Sequence, residues 1–393
     1  MTILDQIERY SKANHEPQWL YEKRRVAWQI QKDLKQPRLN NVRPVDWNLN
    51  HEQIHWHHQV DFKNYASDEE QKQGIVKMDL LAAASQYSNL MQENLMEKGV
   101  MWNQYRFAAQ HLACLQSGVF LFIPSNTVCS KPIDLSDILS HGDLEKHILV
   151  IVGANSEATL EFKDRATAKE HGHLMVEILL GDNAHVKYYD AAKSQNRKSH
   201  RMLYAYLAQN ASLKTYVALL NYHDALYNSQ INLDGDGSEA EIHIINLGTN
   251  VQHQSICTHI INRGSNTRGL IKERGVVDGH ARTHCYTNGE IVKGAKDTSS
   301  DQISRLLTLS KQSRGEIDPI LLIKDNDIVA SHAASIGKLD PNQLYYLKSR
   351  GLDDQTADSI LIRGFLEPLL THFPDRKMRQ SMVDLLEERL DER

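Results

Sequence analysis

The chain has 393 residues, with 45 Lys and Arg against 50 Asp and Glu, a net charge of -5 and a pI near 6.5. That balance excludes the basic footprint of a nucleic-acid binder, and no apolar run approaches the ~20 residues needed to span a bilayer. The four cysteines, Cys114, Cys129, Cys257 and Cys285, show no Cys-x-x-Cys spacing, which argues against a zinc ribbon or a disulfide framework.

The opening Met-Thr-Ile-Leu-Asp-Gln-Ile-Glu lacks the basic and apolar regions of a signal peptide, so a cytoplasmic location is expected. Residues 1–112 read as a helical region. Pro17 lies near a helix start, and Trp19, Leu20, Val26, Ala27 and Ile30 recur at helical spacing. Pro37 and Pro44 break the pattern, and further helices are expected from about Asp68 to Lys98 and from Asn103 to Leu115. Between them cluster His51, His55, His57 and His58. On a helix His51, His55 and His58 would share one face and suit a metal. The competing reading is a solvated segment, since Glu52, Gln53 and Gln59 surround them.

Ser117-Gly-Val-Phe-Leu-Phe-Ile-Pro124 is a buried strand ended by proline, and it leads into a repeat. Turns beginning at Gly153, Gly181, Asn210 and Gly235 are each followed by a small residue, one intervening position and an aliphatic one. The small residues Ala158, Ala184, Ala211 and Ala240 fall 26, 27 and 29 residues apart, and a looser copy places Thr267 another 27 on. β-rich runs flank these turns, such as Ile148–Val152, Met175–Leu180 and Leu213–Val217. Two strands per repeat of this length describe one coil of a parallel β-solenoid. The fold expected is a right-handed parallel β-helix over residues 113–330, flanked by helical regions at 1–112 and 331–393. A hexapeptide helix would repeat its aliphatics every six residues, and a β-sandwich would not hold a fixed offset over four copies.

Within the solenoid, Asp234-Gly-Asp-Gly237 carries too few carboxylates for a calcium loop and reads as a β-turn. His280, His284 and Cys285 form the most metal-like trio, but in a strand His284 and Cys285 point to opposite faces. The alternative function is a carbohydrate lyase or esterase, which would need acids clustered across adjacent coils; no paired acidic motif recurs at the coil period. No Gly-x-x-x-x-Gly-Lys-Ser/Thr loop occurs, so the chain is not expected to hydrolyse ATP.

The repeat is expected to end near Leu306–Ser310, with strands following at Ile317–Ile323 and Asp327–His332. Asp340 then reads as a helix N-cap with Pro341 at the first position and Gln343 at the capping-box position, and Gly351 ends that helix. Two more helices are expected, from about Asp353 to Phe365 and from Asp375 to Leu390. The last carries an apolar stripe of Met378, Met382, Leu385 and Leu390.

The run Ala330-Ser-His-Ala-Ala-Ser-Ile-Gly-Lys-Leu-Asp-Pro-Asn-Gln-Leu-Tyr-Tyr-Leu-Lys-Ser-Arg-Gly351, with Arg363-Gly-Phe365 after it, resembles the C-terminal signature of the SufB/SufD family. Glu16-Pro-Gln-Trp-Leu20 with Arg24 or Arg25 and Ala27, the strand at Ser117–Pro124, and Gly289–Ala295 with Gln302 and Leu306–Ser310 also resemble it. The likeness is to the SufD half, since no cysteine lies between Leu306 and Ile323, where SufB carries its scaffold cysteine.

The resemblance implies a non-enzymatic scaffold subunit of a SufB–SufC–SufD complex that assembles iron–sulfur clusters. Its solenoid would pair with a SufB-like paralogue, and its C-terminal helices would dock a SufC-like ATPase. His332 would stand at the iron or cluster site on the SufB interface. Asp340, Leu344, Tyr345, Arg350, Gly351, Arg363 and Phe365 would belong to the ATPase-docking region. Many relatives have cysteine two residues before the histidine; here it is Ala330, which leaves His332 dependent on groups from the partner. No tightly bound cofactor is expected, only transient iron or an iron–sulfur cluster shared with the partner. One imidazole per chain holds such cargo weakly enough to pass it on. In isolation the edge meant for SufB would be open to a homodimer. Without the resemblance, His332 reads as a cap on the strand-to-helix junction.

Overall fold

A computed structural model describes residues 2–35, 54, 56, 59–139, 144–163, 171–192, 198–372 and 376–391. The cluster of His51, His55, His57 and His58 lies outside the described residues. Seven elements come first: α1 (Ile3–Ala13), α2 (Gln18–Ile30), α3 (Asp68–Lys72), β1 (Val76–Asp79), α4 (Leu80–Gln86), α5 (Ser88–Asn94) and α6 (Arg106–Cys114). The chain then winds between two sheets, one strand of each per coil. Sheet A holds β2 (Ser117–Ile123), β4 (Glu145–Val152), β6 (His171–Leu180), β8 (Lys198–Leu207), β10 (Asp224–Leu233), β12 (His253–Asn262), β14 (Arg282–Ile291) and β16 (Arg314–Ile323). Sheet B holds β3 (Ile133–Asp134), β5 (Glu157–Lys163), β7 (His185–Ala192), β9 (Ser212–Leu219), β11 (Glu239–Gly248), β13 (Arg268–Val277), β15 (Thr298–Thr308) and β17 (Ile328–Gly337). Neighbouring strands of successive coils run parallel within each sheet, as a solenoid requires, and β1 joins the β2 edge of sheet A antiparallel. Three helices follow: α7 (Pro341–Ser349), α8 (Asp354–Leu370) and α9 (Arg376–Asp391). The fold is therefore mainly β, a parallel solenoid with helices at both ends of the sequence.

The corner from sheet A to sheet B explains the repeat. Asn126, Asn155, Asn183 and Asn210 occupy it in successive coils with φ between 54° and 62°. Asparagine tolerates this left-handed region better than other residues with a Cβ. The side chains of Asn155, Asn183 and Asn210 each donate to the asparagine of the coil before, at 3.1, 2.9 and 3.1 Å. In the next coil Gly237 (φ 71°) takes the position, where an added Cβ would come within 2.3 Å of Asn210 Oδ1. Asp234–Gly237 is thus a corner turn, as expected.

The small residues of the repeat are real, but their phase differs from the sequence alignment. Ala158 pairs in register with Val186, Val186 with Leu213, and Leu213 with Ala240. The corner partners of Ala184 and Ala211 are instead Ser156 and Ser238, each following its left-handed residue. A slip of two residues keeps every side chain on the same face. The architecture was therefore legible although the offset was wrong.

The helix expected from Asp68 to Lys98 is broken in the structure. Gly74, at φ 80°, ends α3, and Val76–Asp79 then pairs antiparallel with β2. Asp79 turns the chain back into a helix, its carboxylate accepting from the amides of Leu81 and Ala82. At the other end β17 continues past residue 330 to Gly337, so the strand that carries His332 belongs to the last coil.

Three apolar clusters organise the molecule. The lumen of the solenoid is filled by Val, Ile and Leu from both sheets, including Val119, Ile148, Val176, Leu213 and Ile242. The N-terminal helices bury Leu20, Ala27, Leu112 and others against Phe120, Leu149, Met175 and Tyr204 on the outer face of sheet A. Ile362, Leu366, Leu369, Met382 and Leu386 of α8 and α9 cover Ile245, Leu247 and Val276 on the outer face of sheet B. There Tyr216 stacks on both His243 and His372, with ring centroids 4.9 and 5.2 Å away.

Candidate functional site

The last coil differs from the coils before it because, among the described residues, no further strand lies on it. Inner residues of β13 and β15 such as Ile271, Glu273, Ser300 and Gln302 are buried, whereas β17 is exposed along most of its length. Val329 is 69% exposed, Ile336 48%, and Leu322 and Ile323 at the end of β16 are also open. Both strands leave one edge without a strand neighbour. Such edges with apolar side chains beside them mark an association surface.

His332 stands on this end. Its register partner in β15 is Gln302, which lies on the lumenal row between Ser300 and Ser304. Alternation along the strand therefore puts Ala330, His332 and Ala334 on the lumenal row of the uncovered coil. His332 is not a cap on the strand-to-helix junction, because three residues separate the end of β17 from α7. Ser331, on the other face, donates to Asp301 Oδ1.

The layer beneath is polar. Gln302 Oε1 accepts from Thr287 Oγ1 at 2.8 Å, and its Nε2 donates to Ile320 O at 2.7 Å. One coil deeper, Glu273 accepts from Thr258 at 3.1 Å and Ser304 at 3.3 Å and also contacts the Cys285 thiol. Burial pushes the Glu273 carboxyl up to about 7, against the hydrogen bonds that lower it. Cys285 points into the lumen and His284 outward, where its Nε2 lies 2.9 Å from Asp318. The trio with His280 is thus split across two faces, as strand geometry demands.

Thiolate chemistry is weak at this end. Burial raises the thiol of Cys257 to about 12 and that of Cys285 well above its ordinary value, and Cys129 lies on the first coil. No cysteine lies on β16 or β17. Among the described residues, no three His, Cys, Asp or Glu side chains are placed to hold a metal ion. His332 alone offers a nitrogen ligand on the open lumenal row.

The C-terminal residues are spread over two helices. Asp340 caps α7, its carboxylate accepting from the Asn342 amide at 2.8 Å. Tyr345 is 76% exposed and Leu344 half-buried. Arg350 lies over the Tyr346 ring, and Gly351 adopts φ 92° just past the helix. Arg363, on the outer side of α8, is 3.4 Å from Glu387 of α9. Phe365 turns inward instead: Arg274 of β13 sits 5.4 Å from its ring and donates to its carbonyl at 2.6 Å. A half-open groove between α8 and α9 is lined by Thr356, Ser359, Ile360, Arg363, Val383 and Glu387.

The family model of the SufBD core domain of the SUF system for iron–sulfur cluster assembly matches residues 139–365. The chain belongs to the SufB/SufD family. It is 27% identical to the iron–sulfur cluster assembly protein SufD of Bacillus subtilis, over 98% of this chain and 97% of that one. It is also 24% identical to a chloroplastic SufBD family protein of Arabidopsis thaliana, over 78% of this chain and 57% of the relative. A SufBD family protein of Pyrococcus horikoshii is 27% identical over 77% of this chain and 69% of its own. The chain is therefore a SufD-like iron–sulfur cluster assembly protein. No helix among the described residues is long and apolar enough to cross a membrane.

The family's N-terminal pattern acquires a physical role. Glu16 and Arg24 meet at 2.6 Å with both side chains fully buried, and Arg24 also donates to Leu115 O at 2.6 Å. One group of residues escaped the sequence reading. Glu145, His147, His173 and Glu177 on sheet A, with His111 of α6, form a buried polar chain beneath the N-terminal helices. Its signal was the coil spacing itself, because Glu145, His173 and His200 share one row of sheet A.

Proposed function

We propose that this chain is the SufD-like scaffold subunit of a SufB–SufC–SufD complex, with no chemistry of its own beyond holding cargo. The observation that carries the reading is the uncovered last coil. It combines two free strand edges, exposed Val329, Ile336, Leu322 and Ile323, and one imidazole at His332. A SufB-like partner laid on this end would extend the sheets, cover the apolar residues and bring its own thiolates to His332. A single imidazole from this side leaves the nascent cluster held mainly by the partner, which suits transfer. Iron or a cluster is then shared cargo, not a resident cofactor.

The C-terminal helices are the second surface. On α7 no residue is buried, and Tyr345 and Tyr346 face solvent. With the groove between α8 and α9, they offer the aromatic and apolar anchors on which a SufC-like ATPase would dock. Because α8 and α9 also cover apolar residues of sheet B, removing everything after Leu339 would uncover the solenoid wall. Point changes are the better probe. Without SufB, the open coil is free to meet a second copy.

The test is recovery of the affinity-tagged chain from its host. The expected result is a complex containing a SufB-like chain and an ATPase. Val329→Asp with Ile336→Asp should lose the former only, and Tyr345→Asp the latter only. Recovery of the wild-type chain without an ATPase would overturn the assignment.

A further inference from the structure

A sheet edge left unpaired invites a strand from another chain, and folded proteins blunt such edges by shortness, charge or proline. The two sheets end in four edge strands, β1 and β16 in sheet A and β3 and β17 in sheet B. β1 has four residues and β3 two, and the Tyr65 amide already donates to Lys77 O of β1. β16 and β17 have ten residues each.

The backbone ladder fixes what each long edge presents. Arg314 N donates to Ala281 O and Lys324 N to Ile291 O, and the register of β16 on β14 is unbroken between them. In a parallel sheet alternate residues bond to opposite neighbours. The even-numbered residues of β16 therefore bond β14, and the odd-numbered ones face the open edge. Pro319, at the middle of the strand, is one of these, so the amide that an added strand would need there is missing. Glu316 and Asp318 beside it are exposed carboxylates. Proline and charge together blunt β16.

β17 carries neither device. Ile328-Val-Ala-Ser-His-Ala-Ala-Ser-Ile-Gly337 has no proline and no Asp, Glu, Lys or Arg. Ser299 N donates to Thr267 O and Leu309 N to Val277 O, so the even-numbered residues of β15 bond β17. Ser300 lies opposite Ala330. Ala330, His332, Ala334 and Ile336 thus turn both N–H and C=O to the open edge.

We propose that the partner chain adds one strand to β17 and none to β16, so that sheet B runs on into the partner while sheet A stops at Pro319. This rests on the reading of the last coil as the partner's seat and names the contact made there. The occupant is an extended segment poor in charge, because a charged one would lie against Val329 and Ala333 with no opposite charge on β17 to meet it. Main-chain bonds give such strand addition its affinity, and side chains at alternate positions choose the partner. The added backbone runs directly beside His332.

Hydrogen exchange read residue by residue tests this, on the full chain alone at low concentration and in the complex recovered with its partner. In the complex the amides of Ala330, His332, Ala334 and Ile336 should slow by at least about tenfold, while those of Ile317 and Leu321 keep their rates. Ala334→Pro removes one edge-facing amide that β15 does not use. It should weaken partner recovery by about tenfold or more and leave Tm unchanged. Equal slowing at Ile317 and Leu321, or no slowing along β17 in a complex that does form, overturns the proposal and leaves the complex standing. So does β17 protection given by a second copy and not by the partner, or full recovery by a folded Ala334→Pro. The wild-type exchange decides even if that variant fails to fold. If the wild-type chain brings down no partner, both readings fall.

Discussion

Gln302 of β15 lies in register with His332 of β17, the one buried and the other exposed. The carboxamide ties sheet B to sheet A just below the last coil through Thr287 and Ile320 O. Gln302→Leu should strand both partners and cost about 1–3 kcal/mol, read as a lower urea midpoint. His332→Ala should leave that midpoint unchanged while reducing cluster delivery in a cell that depends on the pathway. Unimpaired delivery would remove the histidine from the site, and a midpoint that falls with His332→Ala as it does with Gln302→Leu would make it structural.

Arg24 and Glu16 make the opposite case, an ion pair with no solvent at either end. A buried pair contributes little against an apolar replacement, but breaking it leaves one charge stranded. Arg24→Met should therefore cost about 3–5 kcal/mol. It also frees the carbonyls of Ala113 and Leu115, which Arg24 now satisfies. Adding Glu16→Leu should recover part of the loss in thermal melts. If the double variant is no more stable than Arg24→Met, the carbonyl bonds dominate and the ion pair is secondary.

Much of this could be read from the sequence, and the failures have physical causes. Coil length, strand order and helical ends follow from hydrophobic period and turn residues, which act locally. The phase of the repeat went wrong because Ala158 and Ser156 both sit near the corner on inward positions, and only register separates them. The strand at Val76–Asp79 was hidden because its one neighbour, β2, lies some forty residues on in the chain. His332 was found by motif, whereas its exposure depends on no coil following β17. The chain from Glu145 to Glu177 needed two strands and a helix to assemble, and no local pattern reports that.

Asn183 carries the corner ladder in both directions, donating to Asn155 and accepting from Asn210. Its φ of 56° would burden alanine by about 1–2 kcal/mol, and two side-chain bonds would go with it. Asn183→Ala should therefore lower Tm more than Asn183→Gly, which keeps the backbone free and loses only the bonds. Equal losses would mean that the ladder, not the backbone, sets the corner.

Glu273 gives the clearest pH signature. Its carboxyl sits inside the lumen with Thr258, Cys285 and Ser304, and burial raises it from 4.5 to about 7. A group raised in the folded state contributes stability that is fully present below about 4.5 and is lost as pH rises through about 7. Unfolding free energy from denaturant titrations should fall by about 1 kcal/mol per pH unit over that window and then level off. Glu273→Gln keeps one oxygen acceptor, puts an N–H donor where the protonated acid has its O–H, and removes the titration, so its profile should flatten by that amount. A variant that retains the wild-type slope would mean Glu273 is ionised in the folded protein, with its charge met by the hydroxyls alone.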